Sequence, residues 1–429
     1  MNFRIKEIRA RQVFDSRANP TVEVDVILEN GVLGRGIVPS GASTGRFEAH
    51  ELKDNDSAHF AGKGVRRAVS NVETVLAPAL VGMDASDQTT IDKLLVGLDG
   101  TMNKSSLGAN ALLGCSLACA YAAANAKRVP LFEHLGSGTT IPVPMIQMIG
   151  GGAHAEDSID IQDFLVIPMS AHSFAEGFEM AVKVYNAVRE IYRAKGKPLS
   201  VADEGGFWPA GFKRNDEGLD IIAHAIDAAG YRPMEDVAIA LDIASSEFYD
   251  EEQGLYELKL ENRRLDAGEL VELYEDWVGK YPIISIEDGC AESDWEGSAL
   301  LTKRLGRKIQ IIGDDLFTTN IGRIAKGVEL GACNSVLIKM NQIGTLTETL
   351  ETVEYTLKKG MLPVISARSG ETEDSSIVHL AIATGAGQLK VGSVVRGERT
   401  AKWNEVIRME EYLGENGSYS GGIYKRFFE

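Results

Sequence analysis

Lys339 stands at the end of an apolar run, Ser335 to Ile338, in the stretch "SVLIKMNQIGT". A buried ammonium is costly unless it is paired, so a lysine delivered this way is either neutralised or used. Five other apolar runs end alike: "VAIAL" at Asp242, "PIISI" at Glu287, "IQIIG" at Asp314, "PVIS" running on to Arg368 and Ser369, and "GQL" at Lys390. A single strand-end carboxylate is most simply a helix cap or a solvated turn. Six charged ends on six runs are harder to explain that way, because like charges gathered without purpose repel. Oxygen ligands from Asp242, Glu287 and Asp314 suit a hard cation, with Mg²⁺ the commonest choice. There are seven histidines and no H-E-x-x-H, which disfavours zinc. Beside such a cation, burial and positive charge could hold Lys339 neutral, and a neutral lysine is a base. The chemistry implied is removal of a weakly acidic proton next to a carboxylate, with the cation taking up the developing charge.

Other segments add groups to this set. "SVADEGGFWP" offers Asp203 and Glu204, and Glu204 is a candidate general acid for a leaving hydroxyl. "GGGAHAEDSIDIQDF" (150–164) supplies His154, Gln162 and Asp163 beside a glycine triplet. "PSGASTG" resembles a lid, with Ser43 as a possible ligand. No P-loop and no strand-linked G-x-G-x-x-G is present, so nucleotide binding is not indicated.

Positioning these groups requires particular elements. Residues 3–38 alternate as strands, with an "ENG" turn joining two runs. A loop follows over 39–53, then helical patterns from about Gly64 to Ala126, which gives a smaller α+β unit with an antiparallel sheet. "GSGTTIPVP" (136–144) is the best linker, dividing the chain into 1–138 and 139–429. Beyond it, "DFLVIP", "PLSVADE", "VAIALDIA", "PIISIED", "IQIIGDD", "SVLIKMN", "LPVISARS" and "LKVGS" alternate with helical stretches. That pattern predicts an α/β fold, a parallel TIM-like (β/α)8 barrel whose C-terminal strand ends share one mouth.

The chain has 429 residues, 44% of them hydrophobic and 25% charged, with a net charge of −18. These values are ordinary for a globular protein and argue against nucleic acid or an anionic membrane as partner. The four cysteines lack C-x-x-C pairing and suit a reducing compartment, so a cytoplasmic location is expected. Cys115 and Cys119 are most simply packed side chains. The charged N-terminus is no secretory signal, and the Ala-rich run 106–126 is a core helix, not a membrane span.

The chain resembles enolase over essentially its full length. The matching stretches are "DSRANPTVEV", "PSGASTG", "HAEDSIDIQDF", "DEGGF", "LDIASSEFY", "SIED", "GDDLFTTN", "IKMNQIGTLTE", "RSGETEDS" and "LKVGS…RGERTAKWN". The resemblance implies Asp242, Glu287 and Asp314 as ligands of one Mg²⁺ and Ser43 as a ligand of a second. It implies Lys339 as general base and Glu204 as acid, with Asp163 near the acid and His154 closing over the phosphate side. Gln162, Arg368, Ser369 and Lys390 would bind substrate, Arg368 and Ser369 through its phosphate and Lys390 through its carboxylate. A lysine or histidine base beside one or two Mg²⁺ is a known property of the enolase superfamily. The implied substrate is a small phosphorylated carboxylic acid, 2-phosphoglycerate, dehydrated to phosphoenolpyruvate. The implied assembly is a homodimer or an octamer of dimers.

The sequence also departs from the family pattern. Ala367 stands where enolases carry histidine, Asp163 where they carry glutamate, and Gly150, Ala18, Gly289, Trp208 and Ala210 replace other usual residues. Three readings remain open: a glycolytic enolase; a paralogue dehydrating a phosphoryl or phosphonyl glycerate analogue, as in a carboxyphosphonoenolpyruvate-type synthase; or a non-catalytic binding protein.

Overall fold

The computed structural model describes residues 1–42 and 44–428. The N-terminal unit is built on an antiparallel sheet of β1 (Ile5–Phe14), β2 (Pro20–Leu28) and β3 (Leu33–Ile37). The alternation of β2 sorts its side chains. Val22, Val24, Val26 and Leu28 are fully buried on one face, and Thr21, Glu23 and Asp25 are buried on the other. Arg11 pairs with Glu23 and Asp25, and Arg35 Nε reaches Asp25 Oδ1 at 2.7 Å, so the polar face carries its own counter-ions. The apolar face receives the helix Ala109–Lys127, which is apolar nearly all round and buried at Ala109–Ala120 and Ala122–Ala124. Cys115 and Cys119 lie inside it, both fully buried.

Glycine sets how closely helix and sheet meet. A Cβ on Gly34 would sit 2.1 Å from Ala122 N and 2.2 Å from Ala118 O, which are backbone atoms that cannot step aside. One on Gly36 would sit 2.7 Å from Leu117 Cβ.

The barrel closes from eight strands in the order β4 (Val143–Gly150), β5 (Asp163–Pro168), β6 (Val237–Asp242), β7 (Ile283–Glu287), β8 (Gln310–Gly313), β9 (Ser335–Ile338), β10 (Leu362–Ser366) and β11 (Gln388–Gly392). Two corrections to the sequence expectation follow. The barrel is not wholly parallel, because β5 runs antiparallel to both β4 and β6. The connection 151–162 holds only a single 3₁₀ turn, and a link that short returns the chain alongside itself instead of crossing over. The second correction concerns "PLSVADE", which is no barrel strand. It lies in the segment 195–216 between helices Phe174–Ala194 and Glu217–Ala228. The strand it displaces is β4, "VPMIQMIG", whose Pro144 and flanking Pro142 made it resemble linker.

Inside the barrel, Met145, Leu165, Ile167, Ala238, Ala240, Ile284, Ile312, Leu337 and Val364 pack together, with Tyr424 among them. Tyr424 donates to Gln388 Oε1 at 2.7 Å, so its hydroxyl is satisfied at depth. The alternate strand residues face outward into a second, larger core shared with the helices.

Gly34→Ala is expected to push the helix Ala109–Lys127 off its sheet. Overpacking typically costs about 1–3 kcal/mol, and backbone contact places this case at the upper end. Thermal unfolding is the check, and a midpoint equal to the parent's would show that the interface has slack.

Candidate active site

Register brings the first acids together. Asp163 is paired with Asp242 across β5 and β6, and Asp242 with Glu287 across β6 and β7. Because β5 is reversed, Asp163 opens its strand yet lies at the same mouth where the others end. Three buried carboxylates thus stand side by side on neighbouring strands.

Lys390, from the far side of the mouth, reaches over to them. Its Nζ donates to Asp242 Oδ2 at 2.7 Å and Glu287 Oε2 at 2.8 Å, and lies 3.6 Å from Asp163 Oδ2. Burial opposes its charge, but Asp242, Glu287 and Asp163 outweigh that and hold its pKa well above the usual lysine value. Glu287 still carries strain: burial, and then Asp242, push its carboxyl well above the usual range despite Lys390. Glu287 Oε1, Asp163 Oδ2 and Gln162 Oε1 are buried and accept no hydrogen bond from the described residues, while Gln162 Nε2 reaches Asp242 Oδ2 at 3.3 Å.

Lys339 lies across from this row, ion-paired with Asp314. Gln342 Nε2 donates to the other oxygen, Asp314 Oδ1, at 2.8 Å. Burial favours the neutral amine of Lys339, but Asp314 outweighs it and raises its pKa; the neutral form was expected beside a bound cation. Behind Asp314, the Asp288 carboxylate accepts the backbone N–H of Asp314 at 2.8 Å and of Asp315 at 2.9 Å. Burial and Asp314 nonetheless push Asp288 up to about 8.

His154 and Glu204 form the third group. His154 Nδ1 lies 3.0 Å from Asp163 Oδ1, and its Nε2 lies 3.9 Å from Glu204 Oε1. Burial works against the imidazolium, but Asp163 and Glu204 prevail and raise His154 to about 9. Burial likewise works against the Asp163 carboxylate, and His154 and Lys390 bring it down to about 2. Glu204 arrives on the segment 195–216, which docks on the end of β4 through Phe207 N–H to Met148 O at 2.8 Å and Gly150 N–H to Phe207 O at 3.1 Å.

Arg368 and Ser369 follow β10. Ser369 Oγ accepts the backbone N–H of Ala42 at 2.7 Å, and Ser40 and Gly370 exchange backbone hydrogen bonds, so the 39–53 loop of the N-terminal unit is fastened to the mouth. Ser43 lies outside the described residues. A cavity of about 20 Å³, the space of a single water, is lined by His154, Gln162, Asp163, Glu204, Asp242, Lys339, Arg368, Ser369 and Lys390. Ala367 lines it too; Trp208 does not.

Nearly all the expected residues therefore converge. The expected trio Asp242, Glu287 and Asp314 shares the mouth, but two lysines stand among its members. Among the described residues, ligand atoms lie within 4.8 Å of one another in two other sets: His154, Asp163 and Glu204, and Asp288, Asp314 and Asp315. The surplus of buried acid, the unpartnered Glu287 oxygen and the all-oxygen donors of the trio fit a hard divalent cation. Sequence reasoning missed Gln147 and Glu48. Gln147, a donor to Asp163, went unseen because only the first two residues of its strand fell in the expected linker 136–144 and the rest was assigned to no element. Glu48 is a loop acid whose partner lies 320 residues away, which no local pattern reveals.

The fold and site define an α/β-barrel enzyme whose acids and lysines meet at one mouth beneath an N-terminal unit. Residues 5–135 match the family model for the enolase N-terminal domain, and residues 138–427 match that for the enolase C-terminal TIM barrel domain. "Enolase 1" of Desulfitobacterium hafniense (strain Y51) is 63% identical over 425 residues, 98% of this chain and 97% of that protein. The chain belongs to the enolase family. No helix among the described residues is long and apolar enough to cross a membrane.

The His154–Asp163 pair predicts a pH dependence. A raised histidine pKa contributes stability that is complete below about 6.5, the ordinary value. That contribution fades as pH rises through about 9. Histidine NMR shifts in cation-free protein should therefore show His154 still protonated at neutral pH, and Asp163→Asn should lower its titration. A His154 titrating near 6.5 in the parent would show that the pairing does not form.

Proposed function

We propose that this protein reversibly dehydrates 2-phosphoglycerate to phosphoenolpyruvate. Membership of the enolase family over nearly the whole chain supports this. The observation that carries the chemistry is the row Asp163–Asp242–Glu287 on adjacent strands, with Asp163, Asp242 and Lys339 lining one small cavity. An identity of 63% to a protein named "Enolase 1" favours neither the analogue-dehydrating paralogue nor the non-catalytic reading.

Asp242, Glu287 and Asp314 would hold one Mg²⁺, and Ser43 would contribute to a second. Bound Mg²⁺ supplies positive charge against which the substrate carboxylate can take up electrons from the neighbouring carbon. Lys390 orients that carboxylate, and Arg368 with Ser369 holds the phosphate, a task suited to a planar guanidinium. Lys339 takes the proton from C2. Lys339 must first release to solvent the proton it carries; a cation on Asp314 would weaken the ion pair that holds that proton, and the neutral amine then accepts the one from C2. The C2 electron pair forms the C2–C3 double bond as the C3–O bond breaks. Glu204 gives its proton to the departing hydroxide, which leaves as water. His154 and Asp163, locked together, fix the wall beside that acid, and Gln162 holds Asp242.

As part of the same proposal, the chain divides near 138/139, assembles as a homodimer or an octamer of dimers, and works in the cytoplasm.

Two experiments test the assignment. In deuterated solvent, Lys339→Ala should lose exchange of the C2 proton by about 10²–10⁴-fold, while Glu204→Gln keeps exchange and loses formation of phosphoenolpyruvate. Exchange at the parent rate in Lys339→Ala would remove lysine from the role of base. Separately, chelator should abolish activity, and Mg²⁺ at a hundred times its Kd should restore it and stabilise the fold by about 2.7 kcal/mol. Glu287→Gln should lose that stabilisation, and retention of it would move the metal site elsewhere.

A further inference from the structure

Glu48 lies on the 39–53 loop and is almost wholly buried against the barrel mouth, its side chain 8% exposed and that of Arg368 3%. Arg368 Nη1 donates to Glu48 Oε2 at 3.0 Å and Nη2 to Glu48 Oε1 at 3.1 Å, two parallel bonds from a planar fork to a planar acceptor. Arg368 Nη1 also reaches Asn341 Oδ1 at 3.0 Å, and Glu48 Oε1 receives the Gly45 N–H at 3.2 Å and Gln342 Nε2 at 3.3 Å.

The pair stands between two spaces. Arg368 lines the small inner cavity that contains the proposed catalytic groups. Glu48 and Asn341 line an outer cavity of about 450 Å³, together with Thr44, Arg46 and His50. The residues preceding Glu48 are anchored independently. Arg46 Nε donates to Glu292 Oε1 at 2.6 Å, and the Arg323 guanidinium lies 3.7 Å from the centre of the Phe47 ring. The Glu48 side chain can therefore swing toward the outer cavity while the loop stays fastened.

A carboxylate on Arg368 presents the same paired oxygens as a phosphoryl group, with one negative charge where the phosphoryl group carries two. We propose that Glu48 is a specificity-determining residue: an internal stand-in that the substrate's phosphoryl group must displace from Arg368 before the inner site is filled. Being tethered, Glu48 competes at high effective concentration, so a singly charged ligand gains nothing by replacing it. A dianion gains the extra Coulomb attraction of a buried guanidinium. The displaced carboxylate moves into the outer space, which Glu48 already lines. This rests on the assignment of Arg368 to the substrate phosphate.

The test is calorimetric titration of the Mg²⁺-loaded protein with inorganic phosphate at pH 8, alongside KM and kcat for 2-phosphoglycerate. Glu48→Gln keeps the size of the side chain and removes its charge. It should bind phosphate on the order of tenfold more tightly, with KM falling by more than kcat changes. Glu48→Asp, which keeps the charge but shortens the arm, should lie between parent and Glu48→Gln, and it carries the test alone if the glutamine variant does not fold. Phosphate affinity equal to or weaker than the parent's in these variants overturns the proposal. Arg368→Gln separates the two claims. It should abolish phosphate binding, and parent-like affinity there would refute the phosphate assignment itself, independently of Glu48.

Discussion

Charge balance at the barrel mouth is the constraint that organises this molecule. Strand register sets Asp163, Asp242 and Glu287 shoulder to shoulder, and Asp314 follows on β8. Buried carboxylates at that spacing repel and cannot all remain ionised without compensation. Lys390 answers the first three and Lys339 the fourth, and the arrangement still leaves Glu287 with an oxygen that accepts nothing from the described residues. Buried acids thus outnumber the lysines set against them, and those lysines are the groups to which the proposed reaction gives the substrate carboxylate and the C2 proton.

The N-terminal unit completes this balance; it is not an appendage. Its connecting loop pairs with the segment after β10 at Ser40, meets Ser369 at Ala42, engages Glu292 through Arg46 and sends Glu48 to Arg368. Deeper in the interface, buried Asp92 accepts from Thr347 N at 2.8 Å, and Lys104 pairs with Glu348 at 2.6 Å. Each contact ties a residue of the smaller unit to a barrel element that ends at, or begins beside, the mouth.

Much of this was legible in the sequence because strand ends advertise themselves. An apolar run of four or five residues that stops at Asp242, Glu287, Asp314 or Lys339 states both a buried strand and a polar mouth. β4 and β5 were harder to read for opposite reasons. Pro142 and Pro144 disguised the start of β4 as linker, while β5 was recognised but its direction was not, since alternation carries no information about polarity. Glu204 was placed on a strand because "PLSVADE" has strand-like texture, whereas contacts with Met148 and Gly150 fix it as a docked excursion. The charged state of Lys339 and the partner of Glu48 depend on contacts remote in sequence, which no local pattern encodes.

The reversal of β5 divides the site mechanically. Pro168 ends that strand at the foot of the barrel, so the chain must climb one helix, cross the mouth over 195–216 and descend another before β6 begins. Lys339, Asp242, Glu287 and Lys390 are therefore mounted on or directly beside a closed cylinder that yields little, whereas Glu204 hangs from the crest of a helical hairpin and Glu48 from an interdomain strap. Whatever must stay still through a turnover is bolted to the cylinder, whereas Glu204 and Glu48 ride on separate spans pinned to its rim by a handful of hydrogen bonds.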